Sequence, residues 1–198
     1  MTITRKGDYI ETFSGIKFWP LDPKPEEIVI RDIAHSLSLV CRFTGHCKFF
    51  YSVAQHSIHT SNILRQLGLS PKAQLRGLLH DASEAYLCDI AAPVKPYLPG
   101  YRELESILED VVYKKYELDD TSSAEIDWVK QIDMVMVRLE GETLVRNSRE
   151  WNIPYPEPRQ TLEEWNVQIP EITYAPHRLV ELEFLYLFEK LIREIAND

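Results

Sequence analysis

Apolar and aromatic positions on either side of Ser14-Gly15 in "DYIETFSGIKFWP", residues 8 to 20, predict a small hairpin of two short strands around that turn. The run "DPKPEE" then interrupts regular structure ahead of "IVIRDIAHSLSLVCRF". From Tyr51 onward the spacing changes to the three-to-four-residue period of amphipathic helices. Helices are predicted across "YSVAQHSIHTSNILRQL", "SPKAQLRGLLHDASEAY", "YRELESILEDVVYKKY", "SAEIDWVKQIDMVMVRLEGETLVR" and "HRLVELEFLYLFEKLIREI". The second of these opens with Ser70 as its N-cap and Pro71 at the first helical position. Residues 147–176, rich in proline and aromatics, read as an ordered surface excursion and not a linker. The pattern predicts an all-α helical bundle with a small N-terminal β-hairpin.

Several polar side chains fall on apolar helix faces. At about 100° per residue, His56 lies inside the arc of Val53, Ile63, Leu64 and Leu67 and is predicted to face the core, whereas His59 falls at the arc's edge and reads as a surface residue. In the next helix Leu75, Leu78, Leu79, Ala82 and Tyr86 form the apolar stripe, and Ala73, Gly77, His80, Asp81 and Glu84 occupy much of the other side. The small Ala73 and Gly77 would let a neighbouring helix come close there. Glu84 lies one turn from His80 and Asp81, so the three heads can converge. Asp133 falls between Ile126, Val129, Met136 and Val137. A buried carboxylate needs a cation, because desolvation costs several kcal/mol. Lys130 is one candidate partner, and Glu140, two turns on along the same face, is a weaker second candidate for the site.

His56, His80, Asp81 and Asp133 thus bring two imidazoles and two carboxylates from three helix faces, a set that one divalent metal ion would satisfy. Cobalt, manganese or zinc suits these donors, with iron or magnesium also compatible.

Composition narrows the classes. With 198 residues, 44% of them hydrophobic, the chain reads as one domain spanning 1–198. Cys41, Cys47 and Cys88 form no even-numbered framework, which fits a reducing cytoplasm. An apolar leader and a membrane-length apolar run are both missing, so no membrane partner is expected. A net charge of −9 argues against binding a nucleic-acid polymer, which needs a field of cations to replace phosphate counterions. Neither a P-loop, a G-x-G-x-x-G nor a G-x-S-x-G elbow is present.

The ordered set of His56, His80-Asp81 and Asp133 resembles the HD-domain phosphohydrolase superfamily. Arg42 in "CRFTGHCKFFYSVAQHS" and the run "HDASEAYLCDIAAPVK" narrow the likeness to bacterial 5′-deoxynucleotidases and their phage-encoded relatives, which include deoxynucleoside triphosphate hydrolases. The likeness covers roughly residues 34–145. It implies an HD-domain bundle holding one divalent metal, with a nucleotide as the partner. It further implies that Arg42 clamps the phosphate and that Glu84 and Asp89 orient or activate the attacking water, with Lys95 adding charge at the mouth. Where the 5′-deoxynucleotidases carry a tryptophan that excludes a ribose 2′-hydroxyl, this chain has Phe43, which leaves the sugar preference open. No histidine lies between Asp81 and Asp133, so the extra ligands of two-metal relatives are missing. The expected activity is hydrolysis of (deoxy)nucleoside 5′-monophosphates to nucleoside and phosphate. A triphosphohydrolase and a non-catalytic nucleotide-binding module are the alternatives, and a homo-oligomer is compatible with the later aromatic segment.

Overall fold

Ser52, Ser70 and Ser122 each accept a hydrogen bond from the backbone amide three residues on and so start three helices: α2 (Val53–Gln66), α3 (Pro71–Leu79) and α6 (Ser123–Leu144). At Ser52 the cap is reciprocal, since Gln55 reaches back to the Ser52 amide. The computed structural model describes residues 5–151 and 157–197. The remaining α-helices there are α1 (Ile30–Leu39), α4 (Glu84–Leu87), α5 (Tyr101–Lys115), α7 (Pro158–Glu164) and α8 (His177–Ile195). The only sheet among the described residues is the hairpin of β1 (Ile10–Glu11) and β2 (Lys17–Phe18), antiparallel with Ile10 opposite Phe18. The fold is all-α with a small N-terminal hairpin.

The hairpin is tied down at both ends. Buried Asp32 of α1 accepts from the Ser14 amide and hydroxyl, both at 2.7 Å, and Phe18 is fully buried with its ring stacked on Tyr86. Arg5 adds ion pairs to Asp22 and Glu27.

Two apolar clusters meet along α2. One gathers Ile33, Ala34 and Leu37 of α1, Leu75, Leu78 and Leu79 of α3, and Phe184 and Leu191 of α8; Val53, Ala54 and Ile58 belong to it too. The other joins Ile63 and Leu64 to Val129, Ile132 and Met136 of α6. His56 of α2, the helix that contributes to both clusters, is fully buried.

Three expectations need correction. First, α1 appears where no helix was predicted. Its N-cap, Val29, makes no side-chain cap, and the β-branched Ile28-Val29-Ile30 disfavours helix locally; packing of α1 against α8 and α2 overrides this. Second, the helix predicted over 70–86 breaks at His80. Backbone bonds tighten there to the i→i−3 pattern, from Ala82 to Leu79, Glu84 to Asp81, Ala85 to Ala82 and Tyr86 to Ser83. Third, residues 147–176 are not merely a surface excursion. Leu162 of α7, Val167 and Ile172 are buried in the second cluster; residues 152–156 of the predicted excursion lie outside the described residues.

The close approach foreseen at Gly77 is real. A Cβ there would collide with the Leu64 side chain of α2. Gly77→Ala is therefore expected to push α2 and α3 apart and cost about 1–3 kcal/mol. Urea denaturation measures it, and an unchanged midpoint would mean that Leu64 swings aside freely.

Candidate metal centre

His56 Nδ1 lies 2.8 Å from Glu140 Oε1, and His80 Nδ1 lies 2.8 Å from the Gly77 carbonyl. Both partners are acceptors, so in each neutral ring Nδ1 carries the proton and Nε2 offers a lone pair. The two Nε2 atoms face one another at 3.1 Å. Asp81 Oδ2 lies 3.3 Å from His80 Nε2 and 3.7 Å from His56 Nε2, while Asp133 Oδ1 lies 3.1 Å from His56 Nε2 and 3.8 Å from His80 Nε2. Lone pairs and carboxylates converging on one point repel unless a cation lies among them. Ligand–ligand separations of about 3.0–3.4 Å follow from metal bonds of ~2.1 Å, so these donors fit a divalent ion with little movement. His56, His80 and Asp81, whose ligand atoms all lie within 4.8 Å of one another, could hold a metal ion; Asp133 is outside that set, but its Oδ1 lies against the same two Nε2 atoms. Its partners are the two histidines, not Lys130, which is exposed.

Protons compete for this point. Burial and Arg42 oppose charge on His56, but Glu140 and Asp133 outweigh them and raise its pKa. Burial likewise opposes charge on His80, yet Asp81 and Asp133 hold its pKa up at about 10. Burial pulls the other way on Asp133 too, and the two imidazoles keep its carboxyl well below the usual range.

Arg42 comes from a loop closed at its base by backbone bonds from Arg42 to Tyr51, 2.9 Å, and from Val53 to Val40, 3.0 Å. Phe43 and Thr44 follow in left-handed conformation at φ 53° and 54°, and Gly45 continues it at 77°. For the two non-glycine residues this costs about 1–2 kcal/mol each. Strain of this kind gathers at functional sites. Arg42 Nε lies 2.9 Å from Glu140 Oε2 and Nη1 3.4 Å from Asp81 Oδ2. Neither Arg42 Nε nor Glu140 Oε2 has an aligned hydrogen-bond partner, so that pair is a close charge contact.

All nine predicted site residues except the two histidines line one cavity of about 680 Å³: Arg42, Phe43, Asp81, Glu84, Asp89, Lys95 and Asp133. His56 and His80 are not among its lining residues. Glu84 is 5% exposed, and its Oε2 is buried without a hydrogen-bond partner. Burial, with Asp81 and Asp89 nearby, pushes its carboxyl up to about 9. Burial also raises Asp89, against the pull of Arg42. Cys88 ends α4 at positive φ, 69°, immediately before Asp89. Lys95 is bound at 2.7 Å to Glu105 and lies 3.8 Å from Glu84.

Some residues of the site were missed or misjudged. Glu140, only a weaker candidate by sequence, is fully buried and joins His56, Arg42 and the Tyr51 hydroxyl, 3.0 Å away. Glu109 of α5 comes near enough to Asp81 to feel its charge; burial first, then Glu105 and Asp81, raise its carboxyl to about 7. Trp151, Thr44 and His46 join the cavity wall with no periodic signal to announce them. His59 is half-buried, not a surface residue, with its ring stacked on Tyr51. Burial, then Cys41, push the Cys47 thiol up to about 12. No helix among the described residues is long and apolar enough to cross a membrane.

No family model matches the chain. It is 37% identical over 137 residues to the Rhodobacter capsulatus uncharacterized protein RCAP_rcc00048, covering 66% of this chain and 70% of that protein. It is 41% identical over 136 residues, covering 69% of this chain and 72% of the relative, to the Escherichia coli uncharacterized protein YfdR, and the chain belongs to the same family as that protein.

Proposed function

We propose that the protein is a metal-dependent phosphohydrolase of the HD-domain type that hydrolyses (deoxy)nucleoside 5′-monophosphates to nucleoside and phosphate. One observation carries this reading: Asp81 of the His56, His80 and Asp81 cluster, with Asp133, an arginine and two carboxylates of raised pKa, lines a single cavity whose remaining walls are mostly apolar. A phosphate belongs at the charged end and a nucleoside at the other.

His56, His80, Asp81 and Asp133 would hold the ion, which when bound supplies Lewis-acid neutralisation of phosphate charge and a more acidic water. Cobalt, manganese or zinc fits the mixed nitrogen and oxygen donors. Arg42, held beside Asp81, presents its guanidinium to the phosphoryl oxygens. Glu84 and Asp89 position the attacking water; Asp89 takes its proton as the water oxygen bonds to phosphorus, the P–O5′ bond breaks, and the proton that Glu84 holds passes to the leaving 5′-oxygen. Both cavity cations, Arg42 and Lys95, already face protein carboxylates. Little charge is left over for β and γ phosphates, which favours monophosphates.

The test uses metal-stripped protein with manganese, cobalt or zinc restored, against ribo- and deoxynucleoside mono- and triphosphates. Metal-dependent release of nucleoside with inorganic phosphate is expected. Tripolyphosphate as the companion product would replace the reading by a triphosphohydrolase. Binding without turnover would replace it by a nucleotide-binding module. Glu84→Ala is expected to lower kcat by about 10²–10⁴-fold while nucleotide still binds; steady-state kinetics and equilibrium binding on the same preparation check this.

A further inference from the structure

We propose that Trp151, seated on Gly141 and set against Phe43, is the platform on which the heteroaromatic base of the substrate stacks, and that it governs selectivity for substrates carrying a base. This rests on the phosphohydrolase reading for the identity of the other end of the ligand, but the platform itself stands on separate observations.

Along α6, Asp133, Val137 and Gly141 recur every four residues and so share a face, with Val145 at the helix end next in the series. The stripe therefore leads from the metal cluster to Gly141 over about 12 Å at 1.5 Å per residue, comparable with the reach of a nucleotide from phosphate to base. Val137, Val145, Phe43 and Trp151 all line the cavity. The Phe43 and Trp151 rings lie 5.7 Å apart, tilted by 33°, and both are half-buried. A tryptophan serving only to fill the core would be covered. This one keeps part of its ring on the cavity.

Its position is fixed from beneath. A Cβ on Gly141 would come 2.7 and 2.9 Å from two atoms of the Trp151 ring, closer than side chains tolerate, so the glycine is the notch that admits the indole. Arg138 of α6 donates at 2.7 Å to the Ser148 carbonyl, and that same carbonyl accepts from the Trp151 amide at 3.1 Å. On the opposite side, the loop that bears Phe43 is bound to the end of α6 through the Lys48 amide and the Leu144 carbonyl, 2.9 Å. Lys48 Nζ adds a bond of 2.8 Å to the Thr143 carbonyl. Both rings are thus anchored to the C-terminal part of α6. Flat π-faces favour flat π-ligands, and stacking tolerates any base.

Two measurements decide it. The first compares kcat/KM for a nucleoside monophosphate with that for ribose 5-phosphate, which carries the same phosphate and sugar without a base. Trp151→Ala is expected to reduce that ratio by about 5–150-fold, the range for loss of one base–aromatic stack, while Trp151→Phe keeps it within about 3-fold. Gly141→Ala, which displaces the indole, is expected to copy Trp151→Ala. A ratio unchanged in both Trp151→Ala and Gly141→Ala would overturn the proposal. The second measurement needs no turnover: adenosine and thymidine are titrated into the full chain while tryptophan fluorescence is read. Saturable quenching that vanishes in Trp151→Phe supports the platform. No quenching by either nucleoside at millimolar concentration overturns it. If wild-type protein hydrolyses no phosphate ester, ribose 5-phosphate included, the hydrolase reading fails alone, and the fluorescence titration still decides the platform.

Discussion

Manganese, cobalt or zinc is expected to raise the melting temperature of the metal-stripped wild-type protein, and His80→Ala is expected to abolish that rise. An ion that binds only the folded chain adds about 2.7 kcal/mol at one hundred times its dissociation constant. For a chain of this length that corresponds to a rise of roughly 5–10 °C, at about 2–4 °C per kcal/mol. His80 supplies one of two facing Nε2 atoms, and its ring is fixed by the Gly77 carbonyl. Without it the remaining donors are a buried imidazole and two carboxylates. The expected metal-induced shift then falls below about 1 °C at the same concentration. Glu84→Ala serves as the comparison, because Glu84 lines the cavity outside the ligand cluster and its loss should leave most of the shift in place. Differential scanning calorimetry on the three proteins measures both. An equal shift in wild type and His80→Ala would place the ion elsewhere and dismantle the cluster.

What the sequence made visible depended on whether a side chain contradicted its own helix. His56 and Asp133 stood out because each is polar within an apolar arc, and both converge on the cluster. Gly77 stood out because a residue without a side chain faced a neighbouring helix, and Leu64 occupies that space. Residues in aperiodic segments carried no comparable signal. Trp151 belongs to a short turn after α6, and its role emerges only from the notch at Gly141. Helix α1 escaped notice for a different reason, since its β-branched start and uncapped N-terminus argue locally against the helix that tertiary packing imposes. The break at His80 was hidden too. Hydrophobic spacing runs through residues 70–86 without a fault, while the backbone switches to tighter bonds that a pattern of side chains does not register.

The second large effect is expected at Glu140. Its carboxylate is fully buried and faces three groups: His56 Nδ1 at 2.8 Å, the Tyr51 hydroxyl at 3.0 Å and Arg42 Nε at 2.9 Å. Glu140→Ala would leave a buried guanidinium without its main counter-charge, and removing one partner of a buried ion pair costs about 3–5 kcal/mol. Urea denaturation of the metal-free protein is expected to show that loss. A separate effect falls on the metal. Glu140 holds the His56 proton on Nδ1, and losing such a carboxylate lowers metal affinity by about 10–100-fold. The two consequences separate in the double variant Glu140→Leu with Arg42→Met, which replaces the ion pair by apolar groups of similar size. Stability is expected to recover to within about 1–2 kcal/mol of wild type, because an apolar pair avoids the desolvation cost. Metal affinity is expected to stay low, because the His56 ring still lacks its acceptor. If affinity instead recovers with stability, Glu140 acts only through folding, and the orientation of His56 is set by the surrounding packing alone.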